Sequence, residues 1–523
     1  MAECTKPAMA GSGVCPGQTT GRGILDDAVA LVRGDRFLSY DFNSSTLTNW
    51  GVSKLGDIPG GAYGGMLPKL IFGGLPTSFT GTSSYALLPF YTPQATRDIL
   101  EGNKSIDRYD LKRPAKDGAP AVVYTHEGCK NVLADRDSLL ARYCEPKAVR
   151  SLFFDDGFEA KVSRFFSANA AKQIKRSSLR YPGSRRAINI VRDVTNITPI
   201  VWLAERFAIP LKTPETPRGI ITVPELFDSF SAISMYDGFN VFPINEWKLR
   251  AGSEKSIPAL RRIIEAHLKT QAGFREKIVD YLEMGSVFEV GPEADRLYHA
   301  LNATRRSASD LAEECIRLAA PMASTITQQA SVVIDLLLSP GYEEHKERIM
   351  QLANRNDDAS ARELQGFAFE GMRHAGAIPG LSYVASRDAT IQDGARGPVA
   401  VRAQQTVLAA TSVAAMDPAV FATPEKFNPN RSPEAYASLL GPSLSRVAGP
   451  AIGALLKEVF KLKNVRRAKG KPGYFTTVEQ DFASIRLRSY LDANARESPY
   501  PTNLLLEYDE DIQYGNGMVN GVY

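Results

Sequence analysis

A chain of 523 residues, 44% hydrophobic and 23% charged, is long enough to bury a large core and to form more than one domain. Its formal charge of +4 is too small for the concentrated basic footprint of a nucleic-acid binder. Five cysteines in no CxxC pair and five histidines in no HExxH pattern exclude a disulfide scaffold and a zinc site, and suggest reduced thiols in a cytoplasmic protein.

From Met1 to Gly23 the chain is small and polar, with no apolar signal core, and no later stretch reaches the ~18 consecutive apolar residues of a membrane span. Peripheral contact with a membrane stays open. A short helical pattern over Gly23 to Arg33 then leads through Asp41-Phe42 and Leu47-Thr48-Asn49-Trp50-Gly51 to Tyr85-Ala86-Leu87-Leu88-Pro89-Phe90-Tyr91. These motifs resemble the tail of the haem-peroxidase-like dioxygenase domain in fungal linoleate diol synthases and psi-factor-producing oxygenases, where a cytochrome P-450 domain follows directly. The resemblance implies a dioxygenase remnant over residues 1–95, without that domain's proximal histidine and radical tyrosine. It implies a connector over 96–113, a P-450-like domain over 114–500 and a C-terminal tail over 501–523. The run from Pro114 to Pro120, rich in Lys, Gly and Pro, reads as connecting chain.

Beyond it the pattern is mostly helical. Val191 to Asn196, Phe207 to Thr213 and Gly291 to Tyr298 resemble segments of the same fused domain. From Asp310 to Leu338, apolar residues recur at helical spacing (Leu311, Cys315, Leu318, Met322, Ile326), with Asp310 and Glu313 suiting a start and Ser339-Pro340-Gly341 a stop. About 29 residues at ~1.5 Å each would cross a whole domain, and Pro321 is able to bend the helix. In the fused enzymes an Asn-x-x-Gln arrangement on this helix handles the fatty-acid hydroperoxide. The matching positions here are Thr325 and Gln328, which the resemblance makes candidate catalytic residues; polar lining that bonds backbone or water is the alternative.

Glu370 and Arg373 lie three apart, on one helix face. Arg431 follows in Phe427-Asn428-Pro429-Asn430-Arg431, after Asp417-Pro418, in the order of a P-450 meander. The resemblance makes Glu370, Arg373 and Arg431 a structural cluster that performs no chemistry. The family's haem loop then reads Gly-x-Gly-x-x-x-Cys-x-Gly, whereas this chain has Leu439-Leu440-Gly441-Pro442-Ser443-Leu444-Ser445-Arg446-Val447. Ser445 stands at the haem-ligand cysteine, and two loop glycines are replaced by Leu439 and Val447. A serine hydroxyl lacks the thiolate's acidity and its push onto iron, so thiolate-haem chemistry is expected to be lost. Haem held by water or a histidine is the remaining cofactor option, His374 being nearest in sequence. The basic run from Lys457 to Lys471 reads as a solvated face rather than a dock for an acidic partner or a membrane.

These readings predict a mainly α, cytochrome P-450-like fold. Three functions fit. The first is a domain of oxylipin type that binds an oxygenated fatty acid or similar apolar metabolite without thiolate chemistry. The second is a haem-independent isomerase or cyclase of fungal secondary metabolism. The third is a non-catalytic partner of a separate dioxygenase or of a redox protein.

Overall fold

In a computed structural model of the chain, the described residues run from 121 to 510, apart from 136–137, 142–146, 182–183, 218, 239–245, 270–289, 377–379, 404, 442, 483–484, 492–496 and 499. The expected dioxygenase remnant and connector lie outside the described residues.

Strand β1 (Ala121–Val123) leads into helix α1 (His126–Ala134), then β2 (Leu139–Ala141), α2 (Lys147–Phe153) and α3 (Phe158–Ser177). Thr125 caps α1, its Oγ1 accepting from the Gly128 amide at 2.9 Å. Strands β3 (Leu179–Tyr181) and β4 (Arg185–Asn189) precede a single π-helical turn over Val191–Thr195 and helix α4 (Thr198–Arg206). Two short strands, β5 (Leu211–Lys212) and β6 (Ile221–Thr222), lead to α5 (Val223–Gly238), α6 (Glu246–Lys269) and α7 (Pro292–Ala303).

The long apolar periodicity becomes α8 (Ala308–Leu337), 30 residues and so about 45 Å long. It starts two residues earlier than the Asp310 and Glu313 pattern suggested. The cap is Ser307, whose side chain accepts from the Asp310 amide. Pro321 stays inside the helix. Every residue from Met322 to Ile334 is buried, as expected of a helix covered on all sides. Its neighbours are α4, α5, α6, α10 (Asp358–Ala375) and α13 (Leu444–Phe460), with α9 (Glu343–Ala353) between it and α10 in sequence. Close crossings are bought with glycine: a Cβ on Gly371 of α10 would stand 2.6 Å from Val333 Cγ1 of α8, and one on Gly449 of α13 would stand 2.5 Å from Phe369 of α10. Gly376, at φ +56°, ends α10.

After α10 come β7 (Leu381–Ala385), β8 (Ala389–Gln392), β9 (Pro398–Val401) and β10 (Thr406–Ala409); β8 and β9 form a hairpin. The main sheet has the order β1-β10-β7-β2, with β1 and β10 parallel. A short α11 (Thr411–Ala414) opens the irregular stretch that ends at α12 (Pro433–Leu440). Gly441, at φ +81°, turns the chain between α12 and α13.

The last strands are β11 (Arg466–Arg467), β12 (Thr477–Phe482), β13 (Ile485–Leu491), β14 (Glu497–Ser498) and β15 (Leu505–Asp509). The tail expected from residue 501 is corrected here. Strand β15 lies inside the sheet β11-β15-β4-β3, and Leu504, Leu505 and Leu506 are buried. Its main partner, β4, lies some three hundred residues earlier, a pairing that no local pattern announces. The mainly helical fold expected from the sequence holds. No single helix among the described residues is long and apolar enough to cross a membrane.

Candidate functional site

The three residues Glu370, Arg373 and Arg431 meet. Arg373, 1% exposed, grips both oxygens of Glu370 at 2.7 and 2.9 Å and donates to the Ala415 carbonyl at 3.1 Å. The Asn428 amide donates to Glu370 at 2.9 Å and Arg431 Nε at 3.3 Å, while Arg431 Nη2 reaches the carbonyls of Thr423 and Lys426. Burial would raise the Glu370 pKa, but hydrogen bonds from Arg373, His374 and the Asn428 amide outweigh it and hold the carboxyl at about 2. A carboxylate so fixed is unfit to move protons near neutrality. What it does is pin the 415–431 stretch to α10.

Beside this cluster lies a cavity of about 300 Å³ between α1, α5, α8, α10, β7 and the turn from α12 to α13. Leu133, Met322, Met372, Leu381, Leu439 and Leu440 form much of its wall. Polar side chains interrupt that wall, Thr411, Ser412, Ser438 and Ser443 among them. Thr325 of α8 and Ser234 of α5 face it, and Ser324 Oγ bonds Ser234 Oγ at 2.7 Å just behind. Asp237, also on the wall, is held by Arg317 at 2.8 Å. Thr325 is therefore where a bound molecule would touch it, whereas Gln328 is buried but does not line the cavity. Sequence reasoning missed Lys130, Ser234, Asp237 and Tyr436. The available signal was slight: Lys130, Leu133 and Ala134 share one face of α1 at helical spacing.

Ser445 sits half-buried in the first turn of α13, its amide donating to the Gly441 carbonyl at 3.2 Å, and is not part of the cavity wall. Leu439 supplies wall where the expected pattern has glycine, and Val447 is fully buried in the core. His374 is no alternative ligand: its Nε2 lies 2.8 Å from Arg373 Nη2 and 3.4 Å from Glu370, off the cavity. Cys129 and Cys315 are buried elsewhere, Cys129 with its thiol pushed up to about 12 by burial and by Asp393. Tyr436 reaches the cavity, but burial pushes its phenol well above the usual range, so it stays protonated. Among the described residues, the cavity wall holds no cysteine and no histidine.

No family model matches the chain. Curated relatives do. A bifunctional dioxygenase–epoxy alcohol synthase of Fusarium oxysporum is 27% identical over 97% of this chain and 42% of its own length. Psi-producing oxygenase A of Emericella nidulans is 24% identical over 96% of this chain and 49% of its own length, and 7,8-linoleate diol synthase of Pyricularia oryzae is 23% identical over 97% and 54%. Among solved structures, P450BioI in complex with hexadec-9Z-enoic acid ligated acyl carrier protein covers 77% of this chain and 94% of its own, at a TM-score of 0.50 and 16% identity. The chain has a cytochrome P-450 fold and is similar in sequence to the fungal dioxygenase fusions. It spans about half the length of the curated relatives it matches.

A P-450 holds haem iron through a cysteine thiolate, which favours cleavage of the dioxygen bond. The donor set of this P-450 fold does not fit that group. The position expected to carry the ligand holds Ser445, in the first turn of α13 and off the cavity wall, and the two thioethers on the wall, Met322 and Met372, are neutral ligands without the thiolate's charge.

Proposed function

We propose that this P-450-fold chain binds an oxygenated fatty acid or a similar apolar metabolite in the cavity beside α8, without thiolate-haem monooxygenase chemistry. The observation that carries this reading is the cavity itself: a largely apolar wall with the hydroxyls of Thr325 and Ser234 among its polar groups, bordered by Ser443 and Leu444 just before Ser445. Its volume of about 300 Å³ stands at the lower end of small-molecule pockets. The relatives' names, which speak of linoleate and of epoxy alcohols, support the ligand class. A second reading, a haem-independent isomerase or cyclase, is favoured by Asp237, a carboxylate on the wall of an apolar cavity. Turnover of a hydroxy fatty acid that vanishes in Asp237→Asn would select it.

The test uses the purified chain expressed with haem precursor. The expected result is no Soret band at stoichiometric occupancy, together with calorimetric binding of ricinoleic acid, a hydroxy fatty acid. A thiolate-type band after reduction under carbon monoxide, or no ligand binding, refutes the proposal. Ser445→Cys is expected not to restore the thiolate band, because Leu439 and Val447 still occupy the loop; recovery of that band would show that the cradle had survived the loss of its ligand.

A further inference from the structure

We infer that the ligand enters this cavity tail first and is anchored by a terminal carboxylate on Lys130; this rests on the lipid-metabolite reading of the same site. Three charged side chains reach the wall: Lys130, Asp237 and Arg373. Two are already neutralised inside the protein. Arg373 is clasped by Glu370 at 2.7 Å, and Asp237, 4% exposed, is paired with Arg317 at 2.8 Å. Lys130 differs in both respects. It is exposed, so it marks where the cavity meets solvent, and among the described residues it has no ion-pair partner. The acidic residue one turn before it, Glu127, has its Oε2 close to Gly394, in the turn beyond β8.

The cavity thus presents one uncompensated positive charge at its mouth, above a wall of leucine and methionine. That distribution complements an amphiphilic anion. A lysine at the mouth keeps its ammonium in water while its methylene stem adds to the apolar wall, so the pairing costs little desolvation, unlike a cation buried at the far end. Met322 and Met372, with flexible thioether side chains, adapt to an alkyl chain without specifying its length. At the inner side, the Thr325 and Ser234 hydroxyls suit an oxygen function part-way along that chain.

Ricinoleic acid and its methyl ester share chain and hydroxyl and differ in the charge at one end, so titrating both into the full chain isolates the anchor. The wild type is expected to bind the acid roughly two- to fivefold more tightly than the ester, with the margin narrowing as salt is added. Lys130→Gln should weaken the acid alone by that factor, and Lys130→Glu should make the ester the better ligand. Lys130 is exposed, so circular dichroism and the thermal midpoint of both variants should match the wild type, and lost affinity then reports binding. Equal affinities for acid and ester in the wild type, or an undiminished preference in Lys130→Gln, overturn the anchor and leave the cavity reading standing; failure of the wild type to bind either ligand overturns both.

Discussion

Removing the Glu370 carboxylate tests whether α10 and the 415–431 stretch are held by one buried ionic knot. In Glu370→Ala, Arg373 stays 1% exposed with the Ala415 carbonyl and Met416 Sδ as neutral partners but no counter-charge, and Asn428 and Arg431 each lose an acceptor. Stranding one member of a buried pair typically costs ~3–5 kcal/mol. An independent route gives a similar figure. Held at about 2 in the fold against 4.5 as its ordinary value, Glu370 contributes about 3 kcal/mol at neutral pH. Because the folded pKa is the lower one, that contribution is fully present above pH 4.5 and is lost as pH falls towards 2. Urea titrations at pH 7 and pH 4, followed by circular dichroism, measure both effects. The variant should lose ~3–5 kcal/mol at pH 7 and a smaller amount at the lower pH. Glu370→Ala combined with Arg373→Met should recover part of the loss, since no charge is then stranded. A single-variant loss below about 1 kcal/mol, typical of an exposed pair, or a double variant weaker than the single, would refute the reasoning.

Other parts of the fold make sharp predictions too. Gly371→Ala puts a Cβ 2.6 Å from Val333 Cγ1 and 3.2 Å from Cγ2; it should cost ~1–3 kcal/mol in a urea melt, with much of the loss recovered by adding Val333→Ala. Thr325→Val keeps the shape of the cavity wall but removes its hydroxyl, so calorimetry should show a hydroxy fatty acid bound about fivefold more weakly, ~1 kcal/mol, and the unhydroxylated acid bound as before. Cys129, with its thiol pushed up to about 12, and Cys315, raised further by burial and by Glu314, should resist iodoacetamide in the native protein at neutral pH and react after denaturation; peptide mapping that found rapid native alkylation of either would contradict their burial.

Some of this architecture was legible in the chain because it is local. The spacing of Leu311, Cys315, Leu318 and Met322 marks a long helix whatever surrounds it, since a 3.6-residue period needs only neighbouring residues to be read. The resemblance sets Ser445 where a cysteine is expected, and Leu439 and Val447 where glycines are, from a run of nine neighbouring residues. What sequence could not decide was what meets what. Leu505–Asp509 read as tail because its partner strand Arg185–Asn189 is remote in the chain, and strand pairing of that kind is selected by burial of both faces in the folded molecule. Thr325 and Gln328, three residues apart, look equivalent on paper; a rotation of 300° along the helix puts the first on the cavity wall and takes the second off it. Lys130 carries no motif at all. Its prominence arises only when α10 neutralises Arg373 and α8 neutralises Asp237, leaving one charge uncompensated at the cavity mouth, because electrostatic complementarity belongs to the sum of charges in space and not to their order along the chain.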